Sequence, residues 1–379
     1  MKIIIAPDSF KESVSASRCA QAIKAGFTSI FPQAECICLP IADGGEGTVE
    51  AMVEATEGKM VMLPVMGPMG DFVGAFYGLS GDGHTAFIEM AAASGLMLVP
   101  PDERNPLQAT SYGTGELIRH ALDAGVRQII IGIGGSATND GGAGMVQALG
   151  AKLLTRDNQQ IGAGGQALES LVRIDVSELD KRLAGCRIDV ACDVTNPLTG
   201  PQGATAVFGP QKGATAEMIA SLDKALAHFA EIIHRDLELD VLHLEGGGAA
   251  GGMGAGLYAF CGAKLRPGIE IVTDALHLAD IVADADLVIT GEGRIDSQTI
   301  HGKVPVGVAR VAKRYNLPVI AIAGSLTADV GVVHEHGLDA VFSVIYSICT
   351  LDEALENAAE NVRMTARNVA AVLKMGQVL

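Results

Sequence analysis

Short apolar runs rich in isoleucine and valine recur along this chain at residues 3–6, 36–39, 128–133, 287–290, 319–323 and 340–344, and several stop at glycine, aspartate or asparagine. Runs this short and this uniformly apolar fit strands buried on both faces, as in a parallel sheet covered by helices. Segments of helical period lie between them. Residues 15–30 carry Cys19, Ile23 and Phe27 four apart and stop before Pro32, and residues 114–124 present Leu117, Ile118, Ala121 and Leu122 ahead of Gly125. The alternation predicts an α/β protein with a doubly wound, mainly parallel sheet, whose ligands sit beyond the carboxyl ends of the strands.

Two regions break the rhythm. Residues 59–99 read as extended segments joined by Gly-Pro and Gly-Asp-Gly turns, and residues 151–275 mix long helices with glycine-rich loops. With 379 residues the chain exceeds one ordinary core. The expected organisation is a discontinuous first domain (1–58, 106–150 and 276–379) and an inserted, mixed α/β second domain (59–105 and 151–275).

Apolar residues make up 49% of the chain and charged ones 19%, with no apolar run near the roughly 18 residues of a membrane span. The apolar stretch at the N-terminus stops at Pro7-Asp8, too short for a signal-peptide core, so the expected location is the cytoplasm. A formal charge of −17, no tryptophan and no basic run argue against nucleic acid and anionic membranes as partners. A small anion is still accommodated, because a distant net charge is screened over about 8–10 Å. The seven cysteines form no CxxC pair and read as reduced thiols.

The acids point to a site. Asp8 follows the first run, Asp43 and Glu46 the second, Asn139 and Asp140 the third, Glu292 and Asp296 the fourth, and Asp193 follows a further extended run at 188–191. One such aspartate is best read as a turn or cap residue. Four or five at equivalent strand ends converge on one edge of a parallel sheet. Glycine-rich loops accompany them at 43–48, 132–144, 245–254 and 290–296. Such loops turn backbone N–H groups toward phosphate or carboxylate, although close packing of helix on strand demands glycine equally. Cations are scarce there, so Lys11, Lys212, Arg294 and Lys303 stand out. Phosphoryl transfer needs cations on the migrating group, carboxylates for Mg²⁺ and a carboxylate to take the acceptor proton.

Familiar nucleotide signatures are missing: Gly58-Lys59 and Gly302-Lys303 are followed by Met60 and Val304, so there is no P-loop. Gly132-x-Gly134-x-x-Ala137 after a strand, with Asp157 about twenty residues on, matches a dinucleotide fold and keeps open an NAD-dependent 2-hydroxyacid oxidoreductase. Against it, Asn139-Asp-Gly-Gly142 puts an acid and two glycines where the pyrophosphate helix should begin. A metabolite sensor without chemistry is a third reading, with no DNA-binding element to support its output.

The strings PDSFKES, ADGGEGT, GIGGSATNDGG, ACDVTNPL, FGPQKGA, GGGAAGGMG and TGEGRIDSQT, in this order and essentially end to end, resemble the bacterial glycerate kinases of the first type. The resemblance implies ATP-dependent phosphorylation of D-glycerate, usually at the 2-hydroxyl, in glyoxylate, glucarate or galactarate breakdown. It also implies a Rossmann-like domain with a second domain inserted. Carried onto this chain, it places Lys11, Lys212 and the 134–142 loop (Gly134, Gly135, Ser136, Asn139, Gly141, Gly142) near the phosphates of ATP. Asp43, Asp193 and Asp296 fall near Mg²⁺ or the glycerate hydroxyl, with Asp43 and Asp193 as metal ligands. Asp193 is the expected general base and Asp296 its rival, with Lys11 beside them in the chemistry. Asp43, Glu46, Arg294 and Lys303 are expected to hold the substrate, Arg294 or Lys303 at its carboxylate. The 246–254 loop is expected to be a mobile lid.

Overall fold

A computed structural model describes residues 1–45 and 47–376. The chain divides into two compact units, Met1–Asp43 with Ile269–Leu379, and Gly44–Gly268.

The first unit holds a five-stranded, wholly parallel sheet in the order Ala340–Ser343, Val319–Leu326, Leu287–Ile295, Lys2–Pro7, Glu35–Cys38. In chain order within this unit that is 2-1-3-4-5, the flavodoxin-like form of the doubly wound sheet. The odd-numbered Ile3, Ile5, Leu287 and Ile289 share a core with Cys19, Ile23 and Phe27 of the helix Ala16–Thr28, the four-residue spacing expected from the sequence. Ser15 caps that helix, its hydroxyl accepting the Arg18 amide at 3.3 Å. The helix Ala358–Gly376 packs beside it, close enough that a Cβ on Gly26 would lie 2.2 Å from the Arg363 carbonyl oxygen.

The second unit is built on a six-stranded sheet in the order Lys264–Arg266, Arg187–Ala191, Gln128–Gly132, Thr85–Glu89, Phe72–Leu79, Lys59–Met66. Its first four strands are parallel and the last two antiparallel. The helix Ala216–Leu237, capped by Thr215, buries Leu222, Leu226, Phe229 and Ile233 on one stripe.

Five of the six apolar runs therefore form the first sheet, and the sixth, at 128–133, does not. Its strand pairs with Thr85–Glu89 on one side and Arg187–Ala191 on the other. Residues 44–58 and 106–150, expected in the first domain, lie in the second unit, which is one continuous insertion. The acids correspondingly fall on two sheets rather than one edge. Asp8, Asp43, Glu292 and Asp296 belong to the first unit, and Asp140 and Asp193 to the second.

Candidate active site

In the first unit the strands Lys2–Pro7 and Leu287–Ile295 are neighbours, and the chain leaves them toward opposite edges of the sheet. Their carboxyl ends thus form the topological switch point, where an open α/β sheet leaves a crevice. Asp8 sits there. Its amide donates to the Gly291 carbonyl at 2.8 Å, and its Oδ1 accepts the Ser9 amide at 2.6 Å. Burial, then the negative charges of Asp43 and Glu292, push its carboxyl up to about 7, and the Ser9 amide and Lys11 offset this only in part. Glu292 is 6% exposed. Burial raises its carboxyl too, although Thr299 Oγ1 donates to it at 2.7 Å and the Lys303 ammonium lies 3.6 Å away. An excess of negative charge has been gathered beside Lys11.

Asp296 is engaged structurally. It caps the turn Ser297–Ile300, accepting the Gln298 amide at 2.8 Å, and its Oδ2 lies 3.2 Å from the guanidinium of Arg294. Arg294 itself is largely exposed, its side chain at 65%. Lys11 is exposed as well. Glu46 lies outside the described residues.

In the second unit, the loop after Gln128–Gly132 separates into two parts. Gly134 and Gly135 form an exposed turn, and a Cβ on Gly134 would meet nothing within 4 Å. Gly135, at φ +72°, uses glycine's freedom. Packing therefore does not explain Gly134. Gly141 and Gly142 are buried, and a Cβ on Gly141 would strike the Phe229 ring at 2.7 Å. Their glycines serve packing. Asp140 ties the loop together, accepting the Ser111 amide and hydroxyl and the amides of Gly142 and Gly144 at 2.8–3.2 Å.

Lys212 lies buried beneath the exposed turn. Its ammonium donates to Ser136 Oγ and to the Thr138 carbonyl, both at 2.6 Å, and burial pulls it down to about 7 against the pull of Asp140. It positions Ser136 rather than reaching solvent itself. Asn139 donates to Thr205 Oγ1 at 2.9 Å, while Asn139 Oδ1 and Thr138 Oγ1 are buried polar atoms without a partner. Asp193 is exposed, and its Oδ1 accepts the Gly268 amide at 3.0 Å.

Two expectations are corrected here. The 246–254 loop is no lid: it is buried at 246–254, and Gly251 lies so close that a Cβ would sit 2.0 Å from the Thr138 carbonyl oxygen, as Gly251 O accepts the Gly141 amide at 2.9 Å. Nor does the Gly132–Ala137 string open a dinucleotide site. The helix that follows, Ala143–Ala148, has six residues and begins after the saturated Asp140. Asp157 lies in the tight turn closed by the antiparallel bridge of Leu154 and Gln160 rather than at the end of a parallel strand.

Residues 3–374 match the glycerate kinase family. The chain belongs to that family. It is 63% identical to the glycerate 2-kinase of Escherichia coli (strain K12), over 99% of both chains, and 58% identical to the glycerate kinase of Bacillus subtilis (strain 168), over 100% of this chain and 99% of that one. Among solved structures, the protein proposed as glycerate kinase 2 of Salmonella typhimurium LT2 superposes with a TM-score of 0.94 at 72% identity, covering both chains in full. For a glycerate kinase family member, the nicotinamide reading has no support left.

Two acids now carry more weight than sequence reasoning gave them. Asp8 and Glu292 were visible as acids at strand ends, but nothing local ranked them. Their distinguishing signal is adjacency of the two strands that carry them, which pairing of residues 3–7 with 287–291 creates.

Proposed function

We propose that the protein transfers the γ-phosphoryl group of ATP to the 2-hydroxyl of D-glycerate, with Mg²⁺, giving 2-phosphoglycerate and ADP. The observation that carries this reading is the acid cluster of Asp8, Asp43 and Glu292 beside Lys11 at the switch point of a glycerate kinase family member.

The cluster suits Mg²⁺. Its donors are hard carboxylate oxygens, and Asp8 retains a proton to about neutral pH because burial and the charges of Asp43 and Glu292 outweigh the Ser9 amide and Lys11. Among the described residues no three His, Cys, Asp or Glu groups close around a point. Mg²⁺ is usually held by one or two carboxylates plus substrate phosphates, so a complete protein cage is not required. Asp43, with Asp8, is the holder this favours, and Asp193 then serves the acceptor. When bound, Mg²⁺ neutralises charge on the phosphates.

The chain's own groups do the rest. Asp193 accepts the proton of the glycerate 2-hydroxyl as that oxygen bonds to the γ-phosphorus and the bond to ADP breaks. Lys11 holds the charge of the migrating group. Arg294, exposed and steadied by Asp296, takes the substrate carboxylate, while Lys303 is committed to Glu292. The Gly134-Gly135-Ser136 turn, backed by Lys212, offers an anion its amides and hydroxyl. Purified protein with Mg-ATP and D-glycerate, followed by ADP release and ³¹P NMR, tests the proposal: a glycerate-dependent 2-phosphoglycerate signal is expected. 3-Phosphoglycerate would overturn the regiochemistry, and no turnover would overturn the kinase.

A further inference from the structure

A cavity of about 300 Å³ lies in the first unit at the carboxyl ends of its strands. Gly293 and Gly324, from adjacent parallel strands, line it, and a Cβ on Gly324 would lie 2.4 Å from the Gly293 carbonyl oxygen. Phe10, Val344, Ile345, Leu351 and Leu355 give it apolar walls. Three hydroxyls, of Ser13, Ser325 and Thr350, and a single charged side chain, Lys11, also line it, with Cys349 and Ala354 among the remaining lining residues. Its roof is held in place: Ser13 Oγ donates to the Leu355 carbonyl at 2.7 Å, and Thr350 with Glu353 forms a capping box on the helix Leu351–Glu356. At the mouth, Leu351 is 72% exposed and Ile345 42%.

Resting on the phosphotransfer reading above, we infer that this cavity receives the nucleoside of the phosphoryl donor. Its size falls at the lower end of small-molecule sites, and apolar walls with a few hydroxyls suit a heterocycle and its sugar. D-glycerate has the opposite chemistry. It is a three-carbon anion that needs cations, whereas the cavity offers one lysine and, with Ser13 Oγ donating to the Leu355 carbonyl, the hydroxyls of Ser325 and Thr350. That lysine fixes the direction. Lys11 borders the cavity and lies within electrostatic reach of Asp8, so a triphosphate leaving the cavity past Lys11 arrives at the acid cluster. The exposed apolar rim of Ile345 and Leu351 is surface that a bound base would remove from water.

Cys349 lines the same cavity and is an exposed free thiol, which supplies a reporter in the unaltered protein. Alkylation by iodoacetamide, followed by peptide mass spectrometry, is compared with and without ATP, ADP, adenosine or D-glycerate, with Cys36 and Cys192 as internal references. ATP, ADP and adenosine should each slow modification of Cys349 at least tenfold, and D-glycerate less than twofold. Ala354→Trp, which fills the cavity from its roof, should raise the KM for ATP at least tenfold with the KM for glycerate changed less than twofold. Protection by glycerate instead would overturn the assignment. So would normal turnover with no nucleotide protection and an unchanged KM for ATP in the variant, and that result would leave the kinase intact. Nucleotide protection without any turnover would sustain the cavity as a nucleoside site and overturn the phosphotransfer reading alone.

Discussion

Asp8→Asn should make the first unit more stable at alkaline pH while abolishing its use as a Mg²⁺ ligand. The Asp8 carboxyl moves from 3.8 to about 7. A shift of roughly three pH units corresponds to about 4 kcal/mol, and partial solvent access reduces the working figure to about 2 kcal/mol. The sign follows from proton counting. Between about pH 4 and pH 7 the folded protein keeps a proton that the unfolded chain has released, so stability falls as pH rises through that window and is level above it. Asparagine is neutral throughout and keeps an oxygen for the Ser9 amide. Scanning calorimetry in metal-free buffer at pH 5, 6, 7 and 8 reads the difference between variant and parent. At pH 8 the variant should melt higher by roughly 4–8 °C, the range expected for about 2 kcal/mol in a unit of about 150 residues. At pH 5 the gap should shrink to roughly a third, because most of the window has not been crossed. Added Mg²⁺ at pH 8 should raise the melting temperature of the parent and leave that of Asp8→Asn nearly unmoved. A variant that is less stable than the parent at pH 8, or a gap that does not change with pH, would refute the reading of Asp8 as a carboxyl burdened by Asp43 and Glu292.

Other perturbations separate roles that share a residue type. Asp193→Asn should lower kcat by roughly 10²–10⁴ with nucleotide protection of Cys349 kept, and near-normal turnover would remove Asp193 from the role of base. Asp296→Asn, which keeps a capping oxygen for the Gln298 amide, should lower turnover less than about tenfold and stability by less than about 1 kcal/mol, and a larger kinetic loss than at Asp193 would exchange the two assignments. Lys212→Met should cut turnover and flatten the alkaline arm of stability: with the ammonium lowered from 10.5 to about 7, the parent gains stability as pH rises from 7 toward 10, by up to about 4 kcal/mol, and the variant does not. An equal rise of unfolding free energy between pH 7 and pH 10 in the two proteins, read from urea titrations at each pH, would contradict this. Gly251→Ala, whose Cβ would meet the Thr138 carbonyl oxygen at 2.0 Å from a backbone at φ +67°, should cost about 3 kcal/mol or more, whereas Gly134→Ala should leave the melting temperature within about 1 °C and impair turnover. Equal losses of stability at both glycines would undo the division of the loop into a packing part and a ligand part.

That division shows where local sequence stops being informative. The strands and their helices were legible because burial on both faces writes itself as short Ile and Val runs, and the Cys19, Ile23 and Phe27 spacing survives intact in the helix that covers them. Sheet membership was not, because residues 128–133 are as apolar as residues 3–6 and 287–290. Only their pairing with Thr85–Glu89 and Arg187–Ala191 assigns them to the second unit. The same limit governs the site. Asp140 and Asp8 each follow an apolar strand, yet Asp140 ends fully supplied with donors while Asp8 ends beside two other carboxylates. What distinguishes them is which second strand lies next to the first: Leu287–Ile295, almost three hundred residues away in sequence, brings Glu292 to Asp8. A carboxylate left in electrostatic conflict by such a long-range pairing is destabilising unless a ligand relieves it, and its persistence is the reason to look for the ligand there.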